Sequence, residues 1–277
     1  MNINLGIMQG RLLPKYKNQF QSFPKNSWKK EFALAKKFNL KYIEFIFGDK
    51  NVNAHPLLDR KKIQIIKNLE KINQIKIRSI CADYFIYNPL FEGSSKKKIN
   101  LLKKLIYNAS YLKVTDIVLP FVDNSSLNSK IKLKKTIQIL NSLSDFLDKM
   151  NINIALETDL NPGDYLVFIK SLKSKRYTIN YDLGNSAYKN YDISDEFKTY
   201  GNKISSIHIK DRLIGGPSVV LGTGDVNFEK FFFLFKKYIR RNDIYFIMQC
   251  YRDNEGVSVF KKQLSYFKKI MQINMNN

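Results

Sequence analysis

Tyr42-Ile43-Glu44-Phe45-Ile46-Phe47 is a run in which Glu44 alone interrupts an otherwise apolar stretch. A strand with one wet face alternates apolar and polar residues, whereas a parallel strand covered on both faces is apolar almost throughout. The run therefore predicts a buried parallel strand. Segments 3–8, 77–82, 116–120, 152–157, 177–181, 204–209 and 244–249 share this character. An amphipathic segment follows each strand, at 27–38, 60–74, 96–112, 130–150, 162–173, 193–200, 227–240 and 256–272. The helical period is explicit where Ile139, Leu143, Phe146 and Met150 recur at i, i+4, i+7 and i+11, and again in Phe260, Leu264, Phe267 and Met271. Asn161-Pro162 adds an N-cap followed by proline at the first helical position.

Strand followed by helix, eight times over 277 residues, predicts an α/β chain closed as a single (β/α)8 TIM barrel, whose usual size is about 250 residues. A doubly wound open sheet is the competing arrangement. No strand, however, is followed by G-x-G-x-x-G or by a phosphate-loop lysine. No linker, low-complexity tract or composition break divides the chain. Residues 1–277 are therefore expected to form one domain, with 274–277 frayed.

Composition narrows the function classes. A chain that is 44% hydrophobic and 13% aromatic is neither disordered nor fibrous. Charged or amide residues cut every apolar run well short of the roughly 18 residues of a membrane span. The N-terminus lacks a basic stretch leading into a long apolar one, and Cys81 and Cys250 make no disulfide framework. The expected compartment is the reducing cytoplasm. Net charge is +23, which invites a nucleic-acid partner. Against that, only eight of the 47 basic residues are arginine, and the lysines are scattered as pairs over helix faces. They accompany abundant Asn, Ile, Phe and Tyr, all encoded by A/T-rich codons. Compositional drift accounts for the charge, and a nucleic-acid partner is not expected.

In a barrel of this kind chemistry sits at the C-terminal ends of the strands. The polar residues there form a series: Gln9-Gly10-Arg11, Glu44, Asp83, Glu157-Thr158-Asp159, Asp182-Leu183-Gly184-Asn185, His208-Ile209-Lys210-Asp211-Arg212 and Gln249-Cys250-Tyr251-Arg252. A histidine taken alone is more often framework than ligand, and Glu157 and Asp182 each could simply cap the next helix. Three such residues closing three successive strands point instead to a mixed nitrogen and oxygen site for one divalent ion, Mn²⁺, Mg²⁺, Co²⁺ or Zn²⁺. His55, in a loop beside Pro56, is expected to be exposed. The stretch from Gly215-Gly216-Pro217 to Leu221-Gly222-Thr223-Gly224-Asp225 reads as an ordered loop over the barrel mouth, either a lid or phosphate-contacting backbone, or a plain tight turn.

At these residues the chain resembles the sugar phosphate isomerase/epimerase family of xylose isomerase-like TIM barrels, which also includes endonuclease IV at greater distance. The likeness runs along essentially the whole chain. It is carried by Ile7-Met8-Gln9-Gly10-Arg11-Leu12, Ile80-Cys81-Ala82-Asp83-Tyr84-Phe85, Ala155-Leu156-Glu157-Thr158-Asp159, Tyr181-Asp182-Leu183-Gly184-Asn185, His208-Ile209-Lys210-Asp211-Arg212 and Leu221-Gly222-Thr223-Gly224-Asp225. The resemblance implies an isomerase or epimerase of a sugar or sugar phosphate working through an enediolate. It implies Glu157, Asp182, His208 and Gln249 as metal ligands and Glu157 as the acid/base group. Asn185 stands where the epimerases place a substrate-binding histidine, and Arg212 lies near the family's arginine after the strand-7 ligand. Arg11, Asp83, Lys210, Arg212 and Arg252 are the further candidates for substrate binding.

Strand 8 departs from the family. Its acid/base glutamate is Gln249 here, which offers a carbonyl oxygen to a metal but takes up no proton. Either Glu157 works alone, or a neighbour such as Glu44, Asp83 or Asp159 supplies a second base, or the barrel has lost the reaction or altered it towards a dehydratase-like lyase. A nuclease of the endonuclease IV kind is disfavoured, because its three-zinc cluster needs several histidines and this chain has two. The expected partner is a small sugar. A homo-oligomer fits the fold class, although no apolar stripe in the sequence marks a contact.

Overall fold

Eight parallel strands close into a barrel in the computed structural model, which describes residues 4–276 apart from 17, 49–51, 240 and 242. In chain order they are β1 (Asn4–Met8), β2 (Tyr42–Ile46), β3 (Lys76–Cys81), β4 (Asp116–Phe121), β5 (Asn153–Thr158), β6 (Tyr177–Asp182), β7 (Ile204–Ile209) and β8 (Tyr245–Met248). Each pairs with its neighbours in sequence, and β1 pairs with β8 to close the ring. Ile3, expected to open the first strand, lies outside the described residues. The barrel strands are buried over most of their length, as their near-continuous apolar runs require.

Helices cover the outside. Phe32, Ile63, Ile66, Leu105, Phe168, Phe197, Phe231, Phe232, Phe260 and Phe267 face the barrel and are fully or almost fully buried, each contributing about 2 kcal/mol of burial. The expected helix over 130–150 is two helices, Lys130–Asn141 and Ser144–Met150, broken at Ser142-Leu143. The break shifts the buried stripe to Leu140, Leu143 and Leu147, leaving Ile139, Phe146 and Met150 half-buried. The last helix, Val257–Asn276, runs through most of the tail expected to fray. Asn161 caps Pro162–Lys170 by accepting from the Asp164 N–H at 3.0 Å, as its position before proline predicts.

Two strand pairs slip register. The β2–β3 shift falls between Ile43 and Glu44, and the β6–β7 shift between Ile179 and Asn180. Such irregularities re-aim side chains. Here both occur at a polar residue that supports the site described below. Among the described residues, no helix is long and apolar enough to cross a membrane. Cys81 and Cys250 are both buried and unbridged.

Candidate metal centre and cavity

A cavity of about 780 Å³ opens at the C-terminal ends of the strands. Glu157 lines it, and Asp182 and His208 lie buried beside Glu157. One ligand atom from each of the three falls within 4.8 Å of the other two. His208 Nδ1 stands 3.3 Å from Glu157 Oε2 and 3.9 Å from Asp182 Oδ2. On the far side of the ring, Nε2 lies 2.8 Å from Glu44 Oε1. That contact is close but off the line of a good hydrogen bond, and neither atom has a hydrogen-bond partner among the described residues. Glu44 Oε2 accepts from Ser79 Oγ at 2.6 Å, which holds the carboxylate in place.

Burial works against a charged imidazole at His208, but Glu44, Asp182 and Glu157 outweigh it and hold its pKa well above the ordinary histidine range. Burial would likewise raise Asp182, yet Lys210 and His208 keep that carboxyl below the usual range. Lys210 Nζ lies 3.2 Å from Asp182 Oδ2. Three carboxylates thus converge on one imidazole, whose proton offsets part of their charge. A divalent ion at Nδ1 would supply the same compensation more fully, with Glu44 behind Nε2 as carboxylates commonly stand behind ligating histidines. The donor set fits a hard or borderline divalent ion.

Asparagines lock Glu157. Asn180 Nδ2 donates to Glu157 Oε2 at 2.9 Å and lies 3.0 Å from His208 Nδ1, while its own carbonyl accepts from Ser206 Oγ at 2.6 Å. Asn185 Nδ2 donates to Glu157 Oε1 at 2.7 Å, and its carbonyl accepts from Lys210 Nζ and Arg212 Nη1, each at 3.2 Å. Asp182 also caps the helix Leu183–Tyr188 by accepting from the Asn185 N–H at 2.9 Å, so capping and site-building coincide in one residue. Gly184 makes this crowding feasible: a Cβ there would sit 2.7 Å from Lys210 Cγ.

Beyond β7 the chain keeps alternating. His208, Lys210 and Arg212 turn towards the site, and the Arg212 guanidinium carbon lies 3.9 Å from the centre of the Tyr188 ring. Asp211 turns the other way, fully buried, and accepts from the N–H groups of Gly222, Gly224 and Val226 at 2.8, 3.0 and 3.2 Å. Asp211–Arg212 pairs antiparallel with Ser218–Val219, so the glycine-rich loop is a short hairpin and a turn wrapped on one carboxylate. Gly222 has φ +89°, and a Cβ there would strike the Tyr266 ring. Its glycines serve the wrapping of the loop, and Ser218 brings it to the cavity wall.

The opposite wall uses amides. Gln249 lines the cavity and donates from Nε2 to Gln21 Oε1 at 3.0 Å. Its own Oε1 is buried with no hydrogen-bond partner among the described residues. Gln21 also accepts from Arg11 Nη2 at 2.8 Å and donates to Asp83 Oδ2 at 2.8 Å. Its partners therefore fix the orientation of its amide, and that in turn turns the Gln249 carbonyl away from Gln21. Asp83 lines the cavity as well.

Of the ten residues singled out in the sequence, six line the cavity, Asp182 and His208 are buried beside Glu157, and Arg11 and Arg252 stand apart. Arg11 is buried against Phe20 and donates to Phe20 O and Gln21 Oε1. Arg252 is buried and donates to the carbonyls of Leu13 and Pro14, tying the segment after β1 to the end of β8. Neither lines the cavity. His55 is corrected from exposed to buried: Nε2 sits 2.9 Å from Ile46 O, and the ring packs among Phe23, Phe45 and Phe47. Its Nδ1 caps the short turn Pro56–Leu58, which is why histidine precedes proline there.

Gln21 and Asn180 were not anticipated from the sequence. Asn180 carried a signal, a lone amide inside an apolar strand; Gln21, in an irregular segment, carried none.

The model of the xylose isomerase-like TIM-barrel family matches residues 32–270. No curated protein matches the chain by sequence. Among solved structures, a D-tagatose 3-epimerase-like protein superposes with a TM-score of 0.75 at 16% identity, covering 99% of each chain. The IOLI protein with a bound zinc atom gives 0.73 at 16% identity over 98% of this chain and 99% of its own. D-allulose 3-epimerase from Methylomonas sp., in complex with D-allulose, gives 0.71 at 16% identity over 96% of each.

Proposed function

We propose, from the premise that the chain belongs to the xylose isomerase-like TIM-barrel family, that it is a divalent-metal-dependent isomerase or epimerase acting on a sugar or sugar phosphate through an enediolate. The observation that carries this reading is the convergence of Glu157, Asp182 and His208, with Glu44 behind the imidazole. These three residues would hold the ion, and the unpartnered Gln249 carbonyl is suited to a neutral fourth donor. Bound there, the ion would act as a Lewis acid on the substrate's carbonyl and hydroxyl oxygens, acidifying the adjacent C–H and stabilising enediolate charge.

The remaining work falls to the chain itself. Glu157 is the acid/base group: it faces the cavity, and Asn180 and Asn185 each hold one of its two oxygens. Lys210 and Arg212 supply positive charge beside it, and Arg212 has no carboxylate partner among the described residues, which suits an anionic or hydroxyl substituent of the sugar. A sugar substrate is in keeping with the D-allulose held by the Methylomonas sp. epimerase. A second reading, a binding barrel or a lyase, draws on Gln249, since strand 8 offers no proton carrier.

Elemental analysis of the full chain beside Glu157→Ala and His208→Ala tests the proposal. About one equivalent of Mn, Mg, Co or Zn in the wild type, lost in both variants, is the expected result. A wild-type chain that retains no metal after incubation with each ion overturns the metal-dependent reading and favours the binding barrel.

A further inference from the structure

We propose that Asp83 is the second acid/base group of this site, exchanging a proton with the substrate on the face opposite Glu157. The proposal rests on the isomerase/epimerase reading above and supplies what Gln249 cannot.

Among the described residues, Asp83, Asp123, Glu157 and Asp159 are the carboxyl side chains that line the cavity. Asp159 is engaged, with Lys189 Nζ at 3.6 Å and Ser126 Oγ at 2.8 Å. Asp123 lies exposed at the rim. Glu44 is buried behind His208 and does not reach the cavity. Asp83 is left, 5% exposed and in no ion pair among the described residues, with Arg11, bonded to the same Gln21, the cation that acts on it from beyond contact. Its two oxygens are held by neutral donors: Oδ2 accepts from Gln21 Nε2 at 2.8 Å and Oδ1 from Cys81 Sγ at 3.1 Å. Neutral donors orient a carboxyl without fixing it as an anion, so it can carry a proton or release one.

Its placement suits that role. Asp83 follows β3 and Glu157 ends β5, so the two reach the same cavity from different strands. Gln21 links Asp83 to Gln249, which puts the carboxyl one amide away from the side chain that closes β8. Burial pushes Asp83 up to about 6; Cys81 and Gln21 pull against that, and the charges of Glu157 and Glu44 add to it. A carboxyl poised there holds both protonation states near neutral pH, as an acid/base group should.

Inversion at the reacting carbon needs no oxidant or reductant. Glu157 as carboxylate takes the proton from the carbon beside the carbonyl, and the electron pair of that bond enters the enediolate. Asp83 as the acid donates its proton to the same carbon from the other face, the enediolate electrons forming the new C–H bond. Configuration is inverted; Glu157 then releases its proton to water and Asp83 regains one.

The test uses the metal-loaded full chain in D₂O with D-fructose, D-allulose, D-tagatose and D-fructose 6-phosphate, read by NMR for deuterium at the carbon next to the carbonyl and for the inverted sugar. Wild type is expected to do both. Asp83→Asn should exchange deuterium from one epimer only and lose inversion at least 100-fold, the usual scale of a lost acid/base group. Glu157→Gln should exchange from the opposite epimer only, and Asp83→Glu should recover part of the inversion. Asp83→Asn inverting at the wild-type rate overturns the proposal while leaving the isomerase reading intact. Loss of exchange from both epimers also overturns it, with either Asp83 variant, folded by circular dichroism and metal-replete. A metal-replete wild type that neither exchanges nor inverts any of these sugars overturns the isomerase reading itself.

Discussion

On the β5–β7 side of the cavity charged groups face one another, whereas on the β1–β3–β8 side the arginines face backbone. His208 lies within ion-pair reach of Glu44, Glu157 and Asp182, and Lys210 within reach of Asp182. Arg11 and Arg252 are as deeply buried, but their donors go to carbonyls and to Gln21. The difference teaches that a charged residue at a strand end declares a function only through its partners. Charge against charge at a cavity wall marks a candidate site. Charge against carbonyl is framework.

Substitutions can break that contrast. The largest effect belongs to Glu157→Gln, expected to lower turnover by about 10³-fold or more while metal content stays near one equivalent, as mass spectrometry and assay together would report. Arg252→Leu should instead cost about 3 kcal/mol in urea unfolding, because buried carbonyls lose a charged donor, with no change in metal bound by the folded protein. If Arg252→Leu emptied the metal site, the division between the walls would fail.

A pH series sharpens it further. Glu31 accepts from the Gly10 and Leu12 N–H groups, and burial raises it from 4.5 to about 7. Its raised pKa means the folded state favours the neutral form. Its stabilising contribution is full below about pH 4.5 and is lost as the pH climbs through 7, a change on the order of 3 kcal/mol. Glu31→Gln should flatten that stretch of the stability curve measured by denaturant titration, leaving in place the separate slope from Asp83 between about pH 4 and 6. The smallest expected effect is on the other wall: Glu44→Gln should weaken metal binding by about 10- to 100-fold in calorimetry, since it acts only through His208.

Much of this was legible in the chain. Near-continuous apolar runs predict the barrel, and the polar residues closing strands 5 to 7 point to the cluster of Glu157, Asp182 and His208, because strand ends are the one place where a polar residue in a buried run has somewhere to point. Periodicity could not foresee the break at Ser142-Leu143, where packing on the barrel overrides a continuous helical pattern. His55 misled because proline beside it suggested a surface turn, while an aromatic cluster from distant segments buries it. Gln21 was invisible for the same reason: its partners are 10, 62 and 228 residues away, and only the closed barrel assembles them.

The alternation that sends His208, Lys210 and Arg212 inward and Asp211 outward has a consequence for how this barrel can change over evolutionary time. Point substitutions at the hairpin tip, around Leu213 and Ile214, leave the wrapping on Asp211 untouched and are free to reshape the mouth. A single-residue insertion or deletion between 208 and 212 would exchange the two faces at once, turning the loop's anchor into the cavity and the cations out of it. Diversification along this segment is therefore confined to replacing residues, or to gaining and losing them in pairs.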